Sequence, residues 1–315
     1  MILSIIIVNW NTSELLAKCL SSIYSHPPNC PFEVWVVDNA SGDDSVSMLR
    51  SRFPQVDLIE NLENTGFSLA NNQAIRQSHG RYVLLLNPDT EVKPGALQQM
   101  VYRIDTHPQV GAVGARLLNP DGSLQTSCYA APTVWREFIR LFHLDFLNLH
   151  ESYKMERWET TQPRRVEVIQ GACLMLRRSA LDQIGLLDEG FFMYSEDVDL
   201  CMRLGKAGWQ LYWLPQAEVL HHGGQSSQQV AEEMFLHLYQ AKLACIRKHQ
   251  GNWAAVVYRL ILLLASLPRL VLIPLSWVHI KPRSQRYQSL GRNYHKLLLN
   301  LAGRTGDERI KRPST

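Results

Sequence analysis

The sequence predicts an α/β protein with a mostly parallel central sheet, followed by a helical C-terminal region that associates with a membrane. Three observations carry this expectation. Continuous apolar, β-branched runs recur through residues 1–89, stretches with helical spacing separate them, and an aliphatic and aromatic run past residue 250 leads into a basic segment. Short continuous apolar runs suit strands covered on both faces, and their alternation with helices implies the crossover connections of a parallel sheet.

The elements follow in order. "LSIIIVNW" is the first strand; "MILSIIIVNWN" breaks at Asn9, too early for a signal-peptide core with its cleavage site. "SELLAKCLSSIYSH" has the spacing of an amphipathic helix, "EVWVVDN" at 33–39 and "VDLIEN" at 56–61 are strands, "SLANNQAIRQSHG" is a second helix, and "RYVLLLNPD" at 81–89 is a further strand. Residues 132–165 are aromatic and amphipathic, which predicts helix with a mobile connection that covers a crevice or meets a substrate. From Val166 to Gly224 the pattern reads strand, helix, loop, helix, strand, with Trp209 and Trp213 expected in the core.

Each early strand ends in polar residues: Asn9 and Asn11, Asp38 and Asn39, Asn61 and Asn64, Asn87 and Asp89. Ligands of open parallel sheets bind at the carboxyl ends of the strands, so these groups are expected to line one crevice. Any one of them also makes a good turn former or helix cap; four strand ends sharing the pattern favour a site. Neither a G-x-G-x-x-G fingerprint nor a P-loop follows the first strand, which argues against a dinucleotide dehydrogenase or a P-loop phosphotransferase.

"FFMYSEDVDL" sets Glu196, Asp197 and Asp199 directly after an aromatic run. Ser195 is a candidate N-cap, which puts Glu196 and Asp197 in a first helical turn where the macrodipole favours negative charge. Asp199 and Arg203, four apart, are expected to pair as a surface salt bridge. Capping and pairing alone account for three acids here, so local pattern does not assign them chemistry.

Bulk features narrow the class. A chain of 315 residues with 46% hydrophobic content can bury one large core, or one core and a smaller domain. The net charge is only +3, yet nine Lys or Arg stand against Asp307 and Glu308 in residues 281–315, leaving the body slightly acidic. A basic end of this kind fits an anionic surface such as a membrane; no nucleic-acid partner is expected. The six cysteines show no C-x-x-C pair, which points to reduced thiols in a cytosolic setting. In "WAAVVYRLILLLASLPRLVLIPLSWVHIKPR", Arg259, Pro268, Arg269 and Pro274 interrupt the apolar run before it reaches the ~18 residues of a spanning helix. It reads as one or two helices lying in the membrane interface, the alternative being a buried hairpin against the rest of the protein.

Taken together, "SIIIVNWN", "VVDNAS", "NTGFSLANN", "LLNPD", "GACLMLRR", "FFMYSEDVDLCMR" and "HHGGQSS" resemble, in order and spacing, the blocks of family 2 glycosyltransferases of the GT-A fold. The sequence is most similar to the bacterial rhamnosyltransferase-like branch that builds surface polysaccharides, and the match runs from residue 3 to about residue 250. The resemblance implies a GT-A nucleotide-binding sandwich over residues 1–228, with a nucleotide half at about 1–115 and an acceptor half at about 116–228. Residues 229–315 then form the basic helical region at the membrane interface.

The resemblance also implies roles. Asp38 would accept a hydrogen bond from the pyrimidine ring N–H, which uracil and thymine have and cytosine lacks, favouring a UDP or dTDP donor. Asn9, Asn39, Gly66, Asn71 and Asn87 would line the nucleotide site, and Gly171 would let the backbone approach the sugar. Asp89 matches the last acid of the D-x-D motif and, with His221, would bind Mg²⁺ or Mn²⁺; Asn87 replaces the first acid, supplying an oxygen but no charge. His222 ranks below His221. Asp197 would be the general base, Glu196 would help orient the acceptor, and Asp199 would be structural.

The expected activity is inverting transfer of a sugar, best matched by rhamnose, to a lipid-linked or cell-surface glycan on the cytoplasmic face of the bacterial inner membrane. The competing reading is a catalytically silent nucleotide-sugar-binding scaffold of a polysaccharide assembly complex, for which Asn87 is the sequence support. A sugar-phosphate nucleotidyltransferase would need a Gly-rich signature with Arg and Lys after the first strand, and "VNWNTSE" has none.

Overall fold

The computed structural model describes residues 1–144, 153–225, 229–276, 293 and 295–299. In chain order these form β1 (Leu3–Asn9), α1 (Ser13–Ser25), β2 (Phe32–Asp38), α2 (Ser45–Arg52), β3 (Asp57–Glu60), α3 (Phe67–Gln77), β4 (Tyr82–Leu86), β5 (Thr90–Val92), α4 (Ala96–Thr106), β6 (Val110–Leu118) and β7 (Cys128–Tyr129). There follow α5 (Val134–Leu141), β8 (Arg164–Val166), β9 (Val168–Ile169), β10 (Cys173–Arg177), α6 (Arg178–Ile184), α7 (Glu196–Lys206), β11 (Gln210–His221), α8 (Ala231–Gln250) and α9 (Asn252–Ser276). They fall into two compact units. One comprises Met1–Ala131, Ser152–Phe192 and Glu196–Gln229; the other comprises Pro132–Glu151, Met193–Ser195 and Val230–Thr315.

The first unit is built on one mixed sheet in the order β3-β2-β1-β4-β10-β6-β11-β5, with β8 beside β11. The four strands foreseen from the apolar runs pair in parallel as β3-β2-β1-β4. Beyond them β10 runs antiparallel to both β4 and β6, and β11 rejoins parallel to β6. The continuous apolar runs are explained by burial on both faces. Leu3, Ile5 and Ile7 of β1, Leu84 of β4 and Met175 of β10 pack with Leu20 of α1 and Met100 of α4. Ile6, Leu85 and Leu174 point the other way, toward Ala74 of α3 and Leu200 and Leu204 of α7. Trp213 is fully buried in that second cluster, as expected, and Trp209 is partly buried against it.

β11 is irregular where it has to be. Its register with β6 shifts between Leu214 and Glu218, around Pro215, which has no N–H to give to a ladder. Before the irregularity β11 pairs with β8; after it, Val219, Leu220 and His221 pair antiparallel with Val92, Glu91 and Thr90 of β5. That register brings the end of β11 to the end of the parallel half.

In the second unit α9 packs on α8 and α5 through Leu141, Tyr239, Ile246, Tyr258, Leu262 and Ala265. Among these apolar groups Glu137 is buried, ion-paired with Arg140 and Lys242. No helix among the described residues is long and apolar enough to cross a membrane. The basic segment 281–315 lies outside the described residues apart from Asn293 and 295–299, as does 145–152 of the aromatic stretch.

Candidate active site

The carboxyl ends of β1, β2 and β4 are adjacent in the sheet, so Asn9, Asp38 and Asn87 gather on one edge as the sequence pattern anticipates. Asp38 is almost fully buried. Its Oδ1 accepts from Asn9 Nδ2 at 2.9 Å and from Ser41 Oγ at 2.7 Å, and its Oδ2 accepts from the Ser41 N–H at 2.9 Å. Three of its roughly four acceptor sites are therefore occupied within the protein, leaving room for about one further donor. The turns after β1 and β2 pass through left-handed conformations at Asn11 (φ 53°) and Ala40 (φ 62°), and Ser41 Oγ ties them by accepting from the Asn11 N–H. A non-glycine residue held there stores strain that surrounding bonds must maintain.

The Asn39 side chain is committed to the loop from Asn61 to Gly66. Its Oδ1 accepts from Asn61 Nδ2, and its Nδ2 donates to Asn64 Oδ1 and the Gly66 carbonyl. Gly66 has φ 83°, and a Cβ there would meet the Phe192 carbonyl at 2.5 Å, so the glycine is required by backbone approach within the protein. The Phe67 N–H donates to that same carbonyl at 2.7 Å. Asn71 is buried, with Nδ2 donating to the Phe67 carbonyl at 2.8 Å.

Asp89 and His221, 132 positions apart in sequence, face one another: His221 Nε2 is 3.2 Å from Asp89 Oδ1, and both side chains are buried. The β5–β11 register produces this, since His221 is paired with Thr90. His222 alternates to the other side and meets Glu91 at 2.9 Å, which separates the two histidines as expected. Burial alone would raise the Asp89 pKa, but the hydrogen bond and charge of His221 more than offset it and hold the carboxyl below its usual range. Asn87 Nδ2 lies 3.4 Å from His221 Nε2.

The other ring nitrogen was not foreseen. His221 Nδ1 lies 2.6 Å from Gln125 Oε1, and the Gln125 amide nitrogen donates to Asn119 Oδ1 at 2.9 Å and to the His221 carbonyl at 3.3 Å. Those two acceptors fix which end of the amide faces the ring, so Nδ1 donates to Gln125 Oε1 and Nε2 is the nitrogen that faces Asp89. An imidazole nitrogen beside a carboxylate, its second nitrogen held by an amide oxygen, is the donor set and outer support a divalent cation takes. The residues present thus fit Mg²⁺ or Mn²⁺ if donor phosphates supply further oxygens; among the described residues no group of three or more His, Cys, Asp or Glu is arranged to hold a metal ion alone. Nothing in "DGSLQTSCY" marks Gln125, because one polar residue among several in the connection between β6 and β7 has no pattern.

Asp197 begins the second part of the site. The Gly171 N–H donates to its Oδ2 at 2.9 Å and the Val198 N–H to its Oδ1 at 2.7 Å, which fixes the carboxylate plane, while burial raises its pKa. Glu196 is buried, and its Oε2 has no hydrogen-bond partner among the described residues. Burial first, and the Asp197 charge second, push the Glu196 pKa well above the usual range. A short path links the two parts: Gly171 binds Asp197, its neighbour Ala172 accepts from the Asn87 N–H at 2.9 Å, and Asn87 borders His221.

Two local expectations change. Ser195 has φ 65°, following Tyr194 at 69°, so α7 starts from a left-handed pair and Ser195 does not hold the extended backbone of an N-cap. The Asp199–Arg203 pair is drawn in from the surface: Asp199 is fully buried and Arg203 partly so, the pair closes at 2.8 Å, and the guanidinium also donates to the carbonyls of Ile184, Gly185 and Leu186. Arg203 thereby pins the loop leading toward α7, and Asp199 is the counter-charge that burial of a guanidinium demands.

Comparison with known proteins agrees with the fold and the block pattern. Residues 4–185 match the model of the family described as glycosyl transferase family 2. The chain is 32% identical over 269 residues to the N-acetylglucosaminyl-diphospho-decaprenol L-rhamnosyltransferase of Mycobacterium tuberculosis, covering 81% of this chain and 87% of that one. It is 26% identical to the rhamnosyltransferase WbbL of Escherichia coli over 50% of this chain and 61% of that one. Among solved structures, the mannosyltransferase PcManGT from Pyrobaculum calidifontis, in complex with GDP-Man and Mn²⁺, superimposes with a TM-score of 0.54 at 20% identity, covering 96% of this chain and 86% of that one. A GT-A-type fold, a matching family model over more than half the chain and relatives named as rhamnosyltransferases converge on one assignment: the chain belongs to glycosyltransferase family 2, in its rhamnosyltransferase-like branch.

Proposed function

We propose that the protein transfers a sugar, rhamnose being the favoured one, from a dTDP or UDP donor to a hydroxyl of a lipid-linked or cell-surface glycan, with inversion at the anomeric carbon. The observation that carries the reading is the Asp197 carboxylate, fixed by the Gly171 and Val198 N–H groups one short hydrogen-bonded path from the Asp89–His221 pair. A base must be aimed before it can act, and two backbone donors aim this one without consuming all its acceptor sites.

Asp197 takes the acceptor proton as the hydroxyl oxygen attacks the sugar carbon from the face opposite the diphosphate. Glu196, whose proton burial and the neighbouring charge hold to higher pH, donates a hydrogen bond to a substrate oxygen while protonated and in that form places no second negative charge beside the base. Asp38 accepts from the ring N–H of the base, with Asn9 and Ser41 holding it still. Asp89 and His221 would hold Mg²⁺ or Mn²⁺, which when bound supplies positive charge against the departing diphosphate. The names of the relatives support the sugar and the class of acceptor: one is named as an N-acetylglucosaminyl-diphospho-decaprenol L-rhamnosyltransferase, and a solved neighbour is described in complex with GDP-Man and Mn²⁺. Acting on such an acceptor, the enzyme would work peripherally on the cytoplasmic face of a bacterial inner membrane.

The test is purified protein against UDP-, dTDP- and GDP-sugars, with a membrane lipid extract as acceptor, with and without Mn²⁺ or Mg²⁺. Metal-dependent release of one nucleoside diphosphate, lost in Asp197→Asn, is the expected result. Tight nucleotide binding without turnover under every condition would replace this reading with the silent scaffold.

A further inference from the structure

The helix α9 is apolar on two opposite faces. Ala255, Tyr258, Leu262 and Ala265 are buried and pack toward α5 and α8. Trp253, Val256, Val257, Leu260, Leu264 and Leu267 recur at the 3.6-residue period on the other side, and these six side chains are 44% to 84% exposed. From Trp253 to Leu267 the exposed stripe runs about 21 Å at 1.5 Å per residue. A helix seated on a globular unit normally turns polar residues outward, and continuous exposed apolar surface of this kind marks an interaction site.

The chemistry around the stripe selects the occupant. No helix among the described residues is long and apolar enough to cross a membrane, and in sequence Arg259, Pro268, Arg269 and Pro274 interrupt the apolar run. In sequence it leads into a stretch that carries nine Lys or Arg against two acids between residues 281 and 315. A large aromatic at one end, a row of aliphatic side chains and an adjoining basic stretch are what a helix lying in an anionic headgroup layer requires. A protein partner would meet the aliphatic row equally well but gives no reason for the charge.

We infer that the exposed face of α9 lies in the headgroup and upper acyl layer of an anionic membrane, the anionic character being chosen by the excess of Lys and Arg that the sequence carries after the helix. The sequence alone offered two fates for this apolar run, membrane interface or burial against the protein; the helix serves both, one face each. The inference deepens the lipid-linked reading by naming the surface that meets the lipid. Its test reads no glycosyl transfer, so either can fail without the other.

The full chain is mixed with phosphatidylcholine–phosphatidylglycerol vesicles or with pure phosphatidylcholine vesicles, and flotation is measured for wild type, Leu260→Asn with Leu264→Asn, and Trp253→Ser. Wild type is expected to float with the anionic vesicles, less as salt rises, and weakly with the neutral ones. The double variant is expected to partition ~tenfold or more weakly, because binding scales with the apolar area inserted, with an unchanged melting temperature. Wild type that stays off anionic vesicles, or a double variant that floats as wild type does, overturns the inference. So does a lipid-free dimer in sedimentation velocity that the double variant abolishes, since the face would then belong to a second copy of the chain.

Discussion

Gln125 Oε1 accepts the Nδ1 proton of His221 at 2.6 Å, and this fixes the His221 nitrogen that meets Asp89. Outer residues that set the tautomer of a metal-binding histidine typically carry ~10–100-fold of metal affinity. Gln125→Leu is expected to weaken Mn²⁺ binding by about that factor in the presence of a nucleoside diphosphate, as measured by titration of the free Mn²⁺ electron-resonance signal. Gln125→Glu, which keeps the acceptor, should restore much of it. Nitrogen-15 spectra of the ring should show a mixed tautomer in the Leu variant alone. Equal Mn²⁺ affinity in all three proteins would remove Gln125 from the site.

Asp197→Asn keeps the shape of the carboxylate and loses its basicity. Transfer is expected to fall by ~10²–10⁴-fold, the range for a positioned general base, with nucleotide affinity unchanged by calorimetry. Because burial raises the Asp197 pKa, the acid limb of wild-type kcat/KM should lie above the ordinary aspartate range. An acid limb at the ordinary value, together with a variant that retains activity, would assign the base elsewhere.

Glu196 should show its raised pKa as stability. A carboxyl group whose native pKa exceeds its unfolded value contributes stability that is complete below the unfolded value, near 4.5, and is lost as pH rises through the native one. Wild type should therefore lose stability across that window, and Glu196→Gln should flatten the slope and melt higher at neutral pH. Urea denaturation at a series of pH values reads both. Parallel pH profiles would mean Glu196 ionises in the native state.

Gly66→Ala meets two costs, a left-handed φ of 83° and a Cβ placed 2.5 Å from the Phe192 carbonyl. Gly122→Ala is the control, with φ 82° and nothing within 4 Å of the added atom. The control is expected to lose about 1–3 kcal/mol from backbone strain alone, and Gly66→Ala measurably more. Nucleotide affinity should fall only in the Gly66 variant, since Asn39 and Phe67 hold the same loop. Equal losses in both variants would show that the loop yields freely.

Strands β1 to β4 and helices α1 and α3 were legible because their signals are local: a run of apolar side chains, a period of 3.6 and a polar strand end each lie within about ten residues. The family was legible because its seven blocks stand in order along the chain. By itself, then, the sequence determined the parallel half, the edge where the polar groups gather and the identity of the acids. The tertiary structure decided what those groups meet. Asp89 reaches His221 only because β11 is irregular around Pro215 and then pairs with β5, and Gln125 reaches the ring from 96 residues away. Asp199 and Arg203 show the same limit at short range, since a spacing of four predicts that two charges meet but not that the loop carbonyls of Ile184 to Leu186 bury them. Periodicity likewise marked α9 as apolar, and only packing on α5 and α8 decided which face is covered. The physical reason is common to all four: local pattern sets backbone conformation and polarity, whereas strand register and packing geometry are long-range and set the partners.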